Sequence, residues 1–136
     1  MGGATFTIAI SLVLMLFGTG EIRFIAAKGL ISLAVSFSIG FVLKKLLGRP
    51  RPYKVIPNAY IEDKVWKDYS FPSGHTASSF SLAINYAMFY PQLALPLTVF
   101  AVLVGVSRIY LGHHYPTDIL AGAILGTLTA AIVHIF

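Results

Sequence analysis

Long stretches without charge constrain this chain more than any other feature. None of residues 1–20 is charged, none lies between Lys28 and Lys44, and none lies between His75 and Arg108. After Asp118 only His134 can titrate before the chain reaches Phe136. A helix needs about 20 apolar residues, within a range of roughly 17–25, to cross the bilayer core. The stretch between His75 and Arg108 holds two such segments, and Tyr90-Pro91 followed by Pro96 divides it. The reading is therefore all-α, a multi-pass transmembrane helical bundle with about five spans at 4–20, 24–43, 73–90, 92–109 and 116–136. Several of these are short for a bilayer, so their ends should include polar residues. Composition agrees: 57% of residues are hydrophobic and only 11% charged, with a mean hydropathy of +0.80. A soluble domain of this size needs far more charge to cover its surface.

A length of 136 residues suits one membrane-embedded domain, residues 1–136. The chain has no cysteine, which excludes disulfides and thiolate metal sites. Met1-Gly2-Gly3 offers no basic segment of the kind that opens a cleavable signal peptide. Both ends are abrupt, and the apolar terminus at Ile135-Phe136 is expected to mark a shortened chain.

The polar residues are unevenly placed. Gly20 to Lys28 reads as a short polar turn carrying Glu21, Arg23 and Lys28, and Tyr90 to Pro96 as an uncharged link. If five spans alternate, these two links share one face of the membrane. The N-terminus, Lys44 to Ser73 and Arg108 to Asp118 then share the other. Residues more than 60 positions apart thus meet on one face through span counting alone. Tyr53 to Ser70 is the one sizeable loop. Its Glu62-Asp63-Lys64-Val65-Trp66-Lys67-Asp68 run, with Tyr53, Tyr60 and Tyr69 nearby, suits either a helix lying on the membrane surface or a solvated linker. Gly122-x3-Gly126 and Ala77-x3-Ser81 allow close helix packing.

Three motifs occupy the shared face: Lys44-x6-Arg51-Pro52, Pro72-Ser73-Gly74-His75, and Ser107-Arg108-x5-His114-x3-Asp118. Cations near span ends commonly anchor helices at the interface, and lysine and arginine gather on the cytoplasmic side. Here the motif face holds most of them, so either it is cytoplasmic or a function overrides the bias. Pro72 to Thr76 reads as a helix entry, where serine caps free amides and the first-turn N–H groups favour an anion. Gly74 lets a ligand approach the backbone closely. His114 and Asp118 stand four apart and share a face if the last helix begins that early; a carboxylate on one imidazole nitrogen leaves the other free to react. His113 would then point about 100° away. His75, His113, His114 and Asp118 could instead bind zinc, but Lys44, Arg51 and Arg108 would repel a metal and neutralise a phosphoryl group without one. No metal and no other cofactor is expected.

These motifs, in this order and spacing, resemble the type 2 phosphatidic acid phosphatase family, related to the vanadium-dependent haloperoxidases. The resemblance covers roughly residues 20–130 and includes the whole Arg108-Ile109-Tyr110-Leu111-Gly112-His113-His114-Tyr115-Pro116-Thr117-Asp118 stretch. Members usually have six spans, so the first is expected to be missing here. The resemblance implies that His114 is a nucleophile forming a phosphohistidine, that Asp118 orients it, and that His75 protonates the leaving oxygen and then activates water. Lys44, Arg51, Arg108, Ser73 and the Gly74 backbone would hold the phosphoryl oxygens, with Lys45 and Arg49 outside that shell or at the interface.

The expected function is that of an integral-membrane, metal-independent lipid phosphatase. Its partners would be a lipid phosphate substrate and membrane lipids, and no nucleic acid. Among substrates the resemblance favours an isoprenoid diphosphate such as undecaprenyl diphosphate, then phosphatidylglycerophosphate or phosphatidate. A soluble haloperoxidase conflicts with the apolar spans. A non-catalytic lipid-phosphate binder or transport component conflicts with the His75–His114 pair. The resemblance places the protein in the cell membrane with its site on the extracytoplasmic face; oligomeric state stays open.

Overall fold

In a computed structural model, which describes residues 2–58 and 66–136, the chain is helical with no strand among the described residues. Helix α1 spans Gly2–Phe17, α2 Gly20–Leu47, α3 the single turn Pro52–Val55, α4 Gly74–Phe89, α5 Ala94–Tyr110 and α6 Pro116–Ile135. A 3-10 turn, Pro91–Leu93, joins α4 to α5. The five long helices correspond to the five expected spans, and Lys44 and Lys45 do fall in the last turn of α2. Among the described residues, three stretches are long and apolar enough to cross a membrane: Gly20–Val55, which contains α2, Pro91–Tyr110, which is α5 with its preceding 3-10 turn, and α6. At about 1.5 Å per residue the 16-residue α1 and α4 reach roughly 24 Å, short of the ~30 Å hydrocarbon core.

One expectation is corrected. Gly20 to Lys28 is not a turn, because α2 already begins at Gly20 and carries Glu21 in its first turn. Only Gly18 and Thr19 separate α1 from α2. Charges in a first helical turn at the membrane surface are solvated as well as those in a loop, so charge alone did not separate the two. The proposed surface helix falls mainly on residues 59–65, which lie outside the described residues.

Helix α4 packs against α1, α2, α5 and α6 and forms the centre of the bundle. Two glycines of α6 show how closely. A Cβ at Gly122 would stand 2.6 Å from the Ser73 carbonyl oxygen, and one at Gly126 would overlap the Ala77 carbonyl oxygen. The glycines of α6 therefore let its backbone lie directly on α4, as the small-residue spacing predicts. The interior they create is polar. Ser32 of α2 and Ser81 of α4 share a hydrogen bond of 2.6 Å, Ser32 reaches Thr129 of α6 at 3.4 Å, and Asn85 Nδ2 donates to the Ile25 carbonyl at 3.0 Å. Large apolar side chains such as Phe41, Leu95, Leu103 and Leu120 face outward. A bilayer inverts the usual pattern in this way, since lipid is as apolar as leucine and close packing with hydrogen bonds must hold the helices.

The two ends of the bundle differ. At one end Lys28 donates to the His134 carbonyl at 3.0 Å, and Phe89 lies edge-on to Phe24 and His134. At the other, the C-terminal ends of α2 and α5 meet the N-terminal ends of α4 and α6. The counted topology is therefore correct about which segments meet.

Candidate active site

Four local devices turn the chain into the site. Gly48 caps α2 in the left-handed conformation, φ 56°, with its N–H on the Lys44 carbonyl at 3.1 Å, so the chain turns sharply toward Arg49 and Arg51. Ser73 caps α4, its Oγ accepting from the Thr76 N–H, and this leaves the Gly74 and His75 amides without helical acceptors. Gly112, φ 67°, carries the chain from α5 into the His113-His114 turn. There both histidine N–H groups reach the Arg108 carbonyl, at 3.1 and 3.3 Å. Asp118 then opens α6 by accepting from the Tyr115 N–H at 2.9 Å.

Asp118 is fully buried and held from several sides. Arg49 Nη1 donates to Oδ1 at 2.8 Å, while the Ser70 hydroxyl makes a short hydrogen bond to Oδ2. His114 Nδ1 lies 3.6 Å from the same Oδ2 and 3.5 Å from the Ser70 hydroxyl. The opposite ring nitrogen, Nε2, faces Arg51 Nη1 at 3.3 Å. A guanidinium only donates, so Nε2 presents a lone pair and the ring proton sits on Nδ1, toward Asp118. Burial holds the His114 imidazole below its ordinary value of 6.5, and the positive charges of Arg51 and Lys44 push the same way. The Asp118 carboxylate, 3.6 Å from Nδ1, opposes them and does not win. His114 is thus neutral at neutral pH, with Nε2 aimed at the cations.

Arg51 is almost wholly buried and serves three neighbours. Besides His114, Nη1 donates to the His113 carbonyl at 3.0 Å and Nη2 to Asp68 Oδ1 at 2.7 Å. Lys44 Nζ takes the other oxygen of the same carboxylate, Oδ2, at 2.9 Å. Burial would raise the Asp68 carboxyl, but the hydrogen bonds and charges of Lys44 and Arg51 outweigh it and hold the group below 3.8. Trp66 covers this cluster, its ring 5.4 Å from the Arg51 guanidinium and edge-on to His75 at 5.8 Å.

A cavity of about 550 Å³ opens between these groups. Lys44, Arg51, Gly74, His75 and His114 line its polar end, with Asp68 among them. Phe37, Gly40, Phe41, Pro72, Ala77 and Leu125 line the rest, with Thr5 at the N-terminal end of α1. A phosphate-sized group at the polar end would therefore have an apolar trough beside it, running between α2 and α6.

Of the residues singled out from sequence, Lys44, Arg51, Gly74, His75 and His114 share this cavity, and Asp118 stands behind His114. Ser73 does not line it. Its side chain is fully buried and accepts from Thr76 Oγ1 at 2.9 Å as well as capping the helix. Arg108 lies at the end of α5 with Nε on the Ser107 hydroxyl at 3.2 Å; it does not line the cavity, but its positive charge is felt at His75. The supposed helical pairing of His114 and Asp118 is corrected, because α6 starts only at Pro116. A turn, rather than helical spacing, brings them together, and His113 turns its ring toward Tyr53 and Trp66. Lys45 lies over the Phe41 ring at 4.4 Å and does not line the cavity. Arg49 is not peripheral: it ion-pairs with Asp118 and stacks on Tyr115 at 4.0 Å. Sequence reasoning also missed Ser70 and the cation-bridging role of Asp68. Their only signal was proximity to the Phe71-Pro72-Ser73-Gly74-His75 motif.

The model of the PAP2 superfamily matches residues 25–136, which include every one of these groups. The chain belongs to that superfamily. This bears out the resemblance seen in the three motifs. Among its relatives, the "Bacitracin transport permease protein BcrC" of Bacillus licheniformis is 35% identical over 117 residues, covering 85% of this chain and 57% of that protein. The "Undecaprenyl-diphosphatase BcrC" of Bacillus subtilis is 35% identical over 136 residues, covering 91% of this chain and 61% of that protein. The PAP2 chain described here thus spans less than two thirds of the length of these curated relatives. The crystal structure of Aquifex aeolicus LpxE shares the fold, with a TM-score of 0.81, 24% identity, and coverage of 98% of this chain and 84% of that one. The PAP2 fold here is that of a multi-pass membrane protein.

Proposed function

We propose that this chain is the catalytic body of a metal-independent membrane lipid phosphatase, with an isoprenoid diphosphate such as undecaprenyl diphosphate as its substrate. One observation carries the reading: a buried, neutral His114 has Nδ1 toward Asp118 and Nε2 toward Arg51, inside a cavity that His75 also lines. Binding alone needs no such aimed imidazole.

In the proposed reaction Lys44, Arg51 and the Gly74 and His75 amides hold the terminal phosphoryl oxygens, with Arg108 adding positive charge near His75. His114 Nε2 attacks phosphorus as the bond to the bridging oxygen breaks, and His75, which takes up a proton from solvent as the anionic phosphoryl group binds beside it, delivers that proton to the same oxygen. Asp118 accepts the Nδ1 proton in a hydrogen bond and steadies the positive ring that forms. His75, now neutral, takes a proton from water, whose oxygen attacks the phosphohistidine. The P–N bond breaks, its electron pair returns to Nε2, and phosphate leaves. The apolar trough lined by Phe37, Phe41 and Leu125 supports a substrate whose tail remains in lipid. The name of the B. subtilis relative supports the diphosphate. Phosphatidylglycerophosphate or phosphatidate is the second choice, since the phosphoryl contacts would be shared. The B. licheniformis name would support a transport component instead, and the His75–His114 pair weighs against it.

The test is phosphate release by the purified protein from undecaprenyl diphosphate and from phosphatidate, in the presence of chelator and with orthovanadate as inhibitor. His114→Ala and His75→Ala should each lose about 100- to 10,000-fold in turnover. His113→Ala should keep most of it, because the backbone carbonyl that receives Arg51 remains. A His113→Ala enzyme as inactive as His114→Ala, or activity that chelator abolishes and metal restores, would overturn the mechanism.

A further inference from the structure

Lys44 and Arg51 do not wait with open positions. Each donates to a different oxygen of one carboxylate, Asp68, at 2.9 and 2.7 Å. Two oxygens of a phosphoryl group would be gripped in the same way, and the carboxylate lies one guanidinium away from His114 Nε2. The cations are largely buried, with side chains 17% and 4% exposed, whereas that of Asp68 is 48% exposed and can swing outward. Two backbone bonds hold the neighbouring chain independently of that side chain: Lys44 donates to the Tyr69 carbonyl, and the Ser70 N–H donates to the Arg49 carbonyl at 2.8 Å. The carboxylate can therefore leave while its loop stays in place.

Resting on the phosphatase reading, we infer that Asp68 is an internal counter-ion: it occupies the Lys44–Arg51 pair until a phosphoryl group displaces it, and so keeps the site from filling with singly charged phosphodiesters. The physical need is plain. At a membrane surface, phosphodiester headgroups surround the site at high local concentration, and each carries one negative charge. A bare Lys-Arg pair would bind them continually. A tethered carboxylate of equal charge competes with them at a high effective concentration. A terminal phosphate of a monoester or diphosphate carries up to two negative charges and three acceptor oxygens, so it outcompetes the carboxylate. Because every ligand displaces the same ion, all are weakened by the same factor; phosphodiesters then fail to fill the site at their membrane concentration, while a tighter phosphoryl ligand still does.

The experiment compares wild type with Asp68→Asn and Asp68→Glu in mixed micelles. It measures KM for the hydrolysed lipid phosphate and the inhibition constant for phosphatidylglycerol, a phosphodiester lipid. Both constants should fall together, by about 3- to 30-fold, in Asp68→Asn, whatever happens to kcat, so that phosphatidylglycerol occupies the variant at membrane fractions that spare wild type, and Asp68→Glu should restore both. Calorimetric titration with inorganic phosphate should show tighter binding to Asp68→Asn. If instead kcat falls while both constants and the phosphate affinity stay the same or worsen, Asp68 merely positions the cations and the inference fails. Wild type alone gives a second test: phosphatidylglycerol inhibiting as strongly as an uncleavable diphosphate lipid would also overturn it. Should no lipid phosphate be hydrolysed, the phosphatase reading fails, while the phosphate titration still decides the role of Asp68 in anion binding.

Discussion

Three donors converge on the Asp118 carboxylate, and the largest of them, Arg49, comes from 69 positions earlier in the chain. Removing that cation leaves a buried carboxylate with only Ser70 and the Tyr115 amide. Breaking a fully buried pair costs about 3–5 kcal/mol, but the Arg49 side chain is 36% exposed, so Arg49→Ala should destabilise the protein by about 2 kcal/mol. Thermal unfolding in detergent checks this, and turnover should fall with it because His114 loses a fixed partner. The His114 ring predicts the acid side of the pH profile. Its folded pKa lies below 6.5, so the neutral nucleophile is fully present above that value and is lost as pH falls through the lower folded value. The acid limb of kcat/KM should therefore lie below pH 6.5, and a midpoint above it would contradict the burial argument. His75, His114, Lys44 and Arg51 were legible because their types and spacing state their chemistry. Arg49, Ser70 and Asp68 were not, since each acts through a partner far away in sequence. Ser73 was half legible: the same local pattern suits a helix cap and a phosphate ligand, and only its burial separates them.

Helices α4 and α6 meet backbone to backbone at Gly122 and Gly126. At Gly126 even a methyl group has no room, since its position falls on the Ala77 carbonyl oxygen and 2.8 Å from the Ser81 amide. Gly126→Ala should cost about 1–3 kcal/mol through forced separation of the helices, read as a lower unfolding temperature in detergent. Ala130 one turn further is already an alanine and is fully buried, so the same separation does not extend along the whole helix. The span limits were legible to within a few residues: 116–136 against Pro116–Ile135, and 92–109 against Ala94–Tyr110. Prolines and apolar runs set those ends directly. The start of α2 was not, because Gly20 with its positive φ and the charges after it look like a turn while the backbone is already helical.

Taken whole, the molecule has one chemically equipped end and one plain end, and their orientation in the membrane is open to direct test. We expect the equipped end to face outward, its cations kept there by the phosphoryl group they bind. A chain without cysteine makes the measurement simple. Asn58→Cys should react with an impermeant thiol reagent on intact cells and Gln92→Cys should not; the reverse pattern would turn the site to the cytoplasm. The serine-rich centre of the bundle also governs how such a protein comes into being. Helix α4, with Thr76, Ser78, Ser79, Ser81 and Asn85 all buried, has little reason to dissolve in lipid alone. During synthesis it emerges before α6, whose Thr129 and glycine face complete its surroundings. It must therefore linger at the insertion machinery, half committed, until the last helix arrives, and a ribosome stalled between the two would leave a nascent chain for quality control to clear.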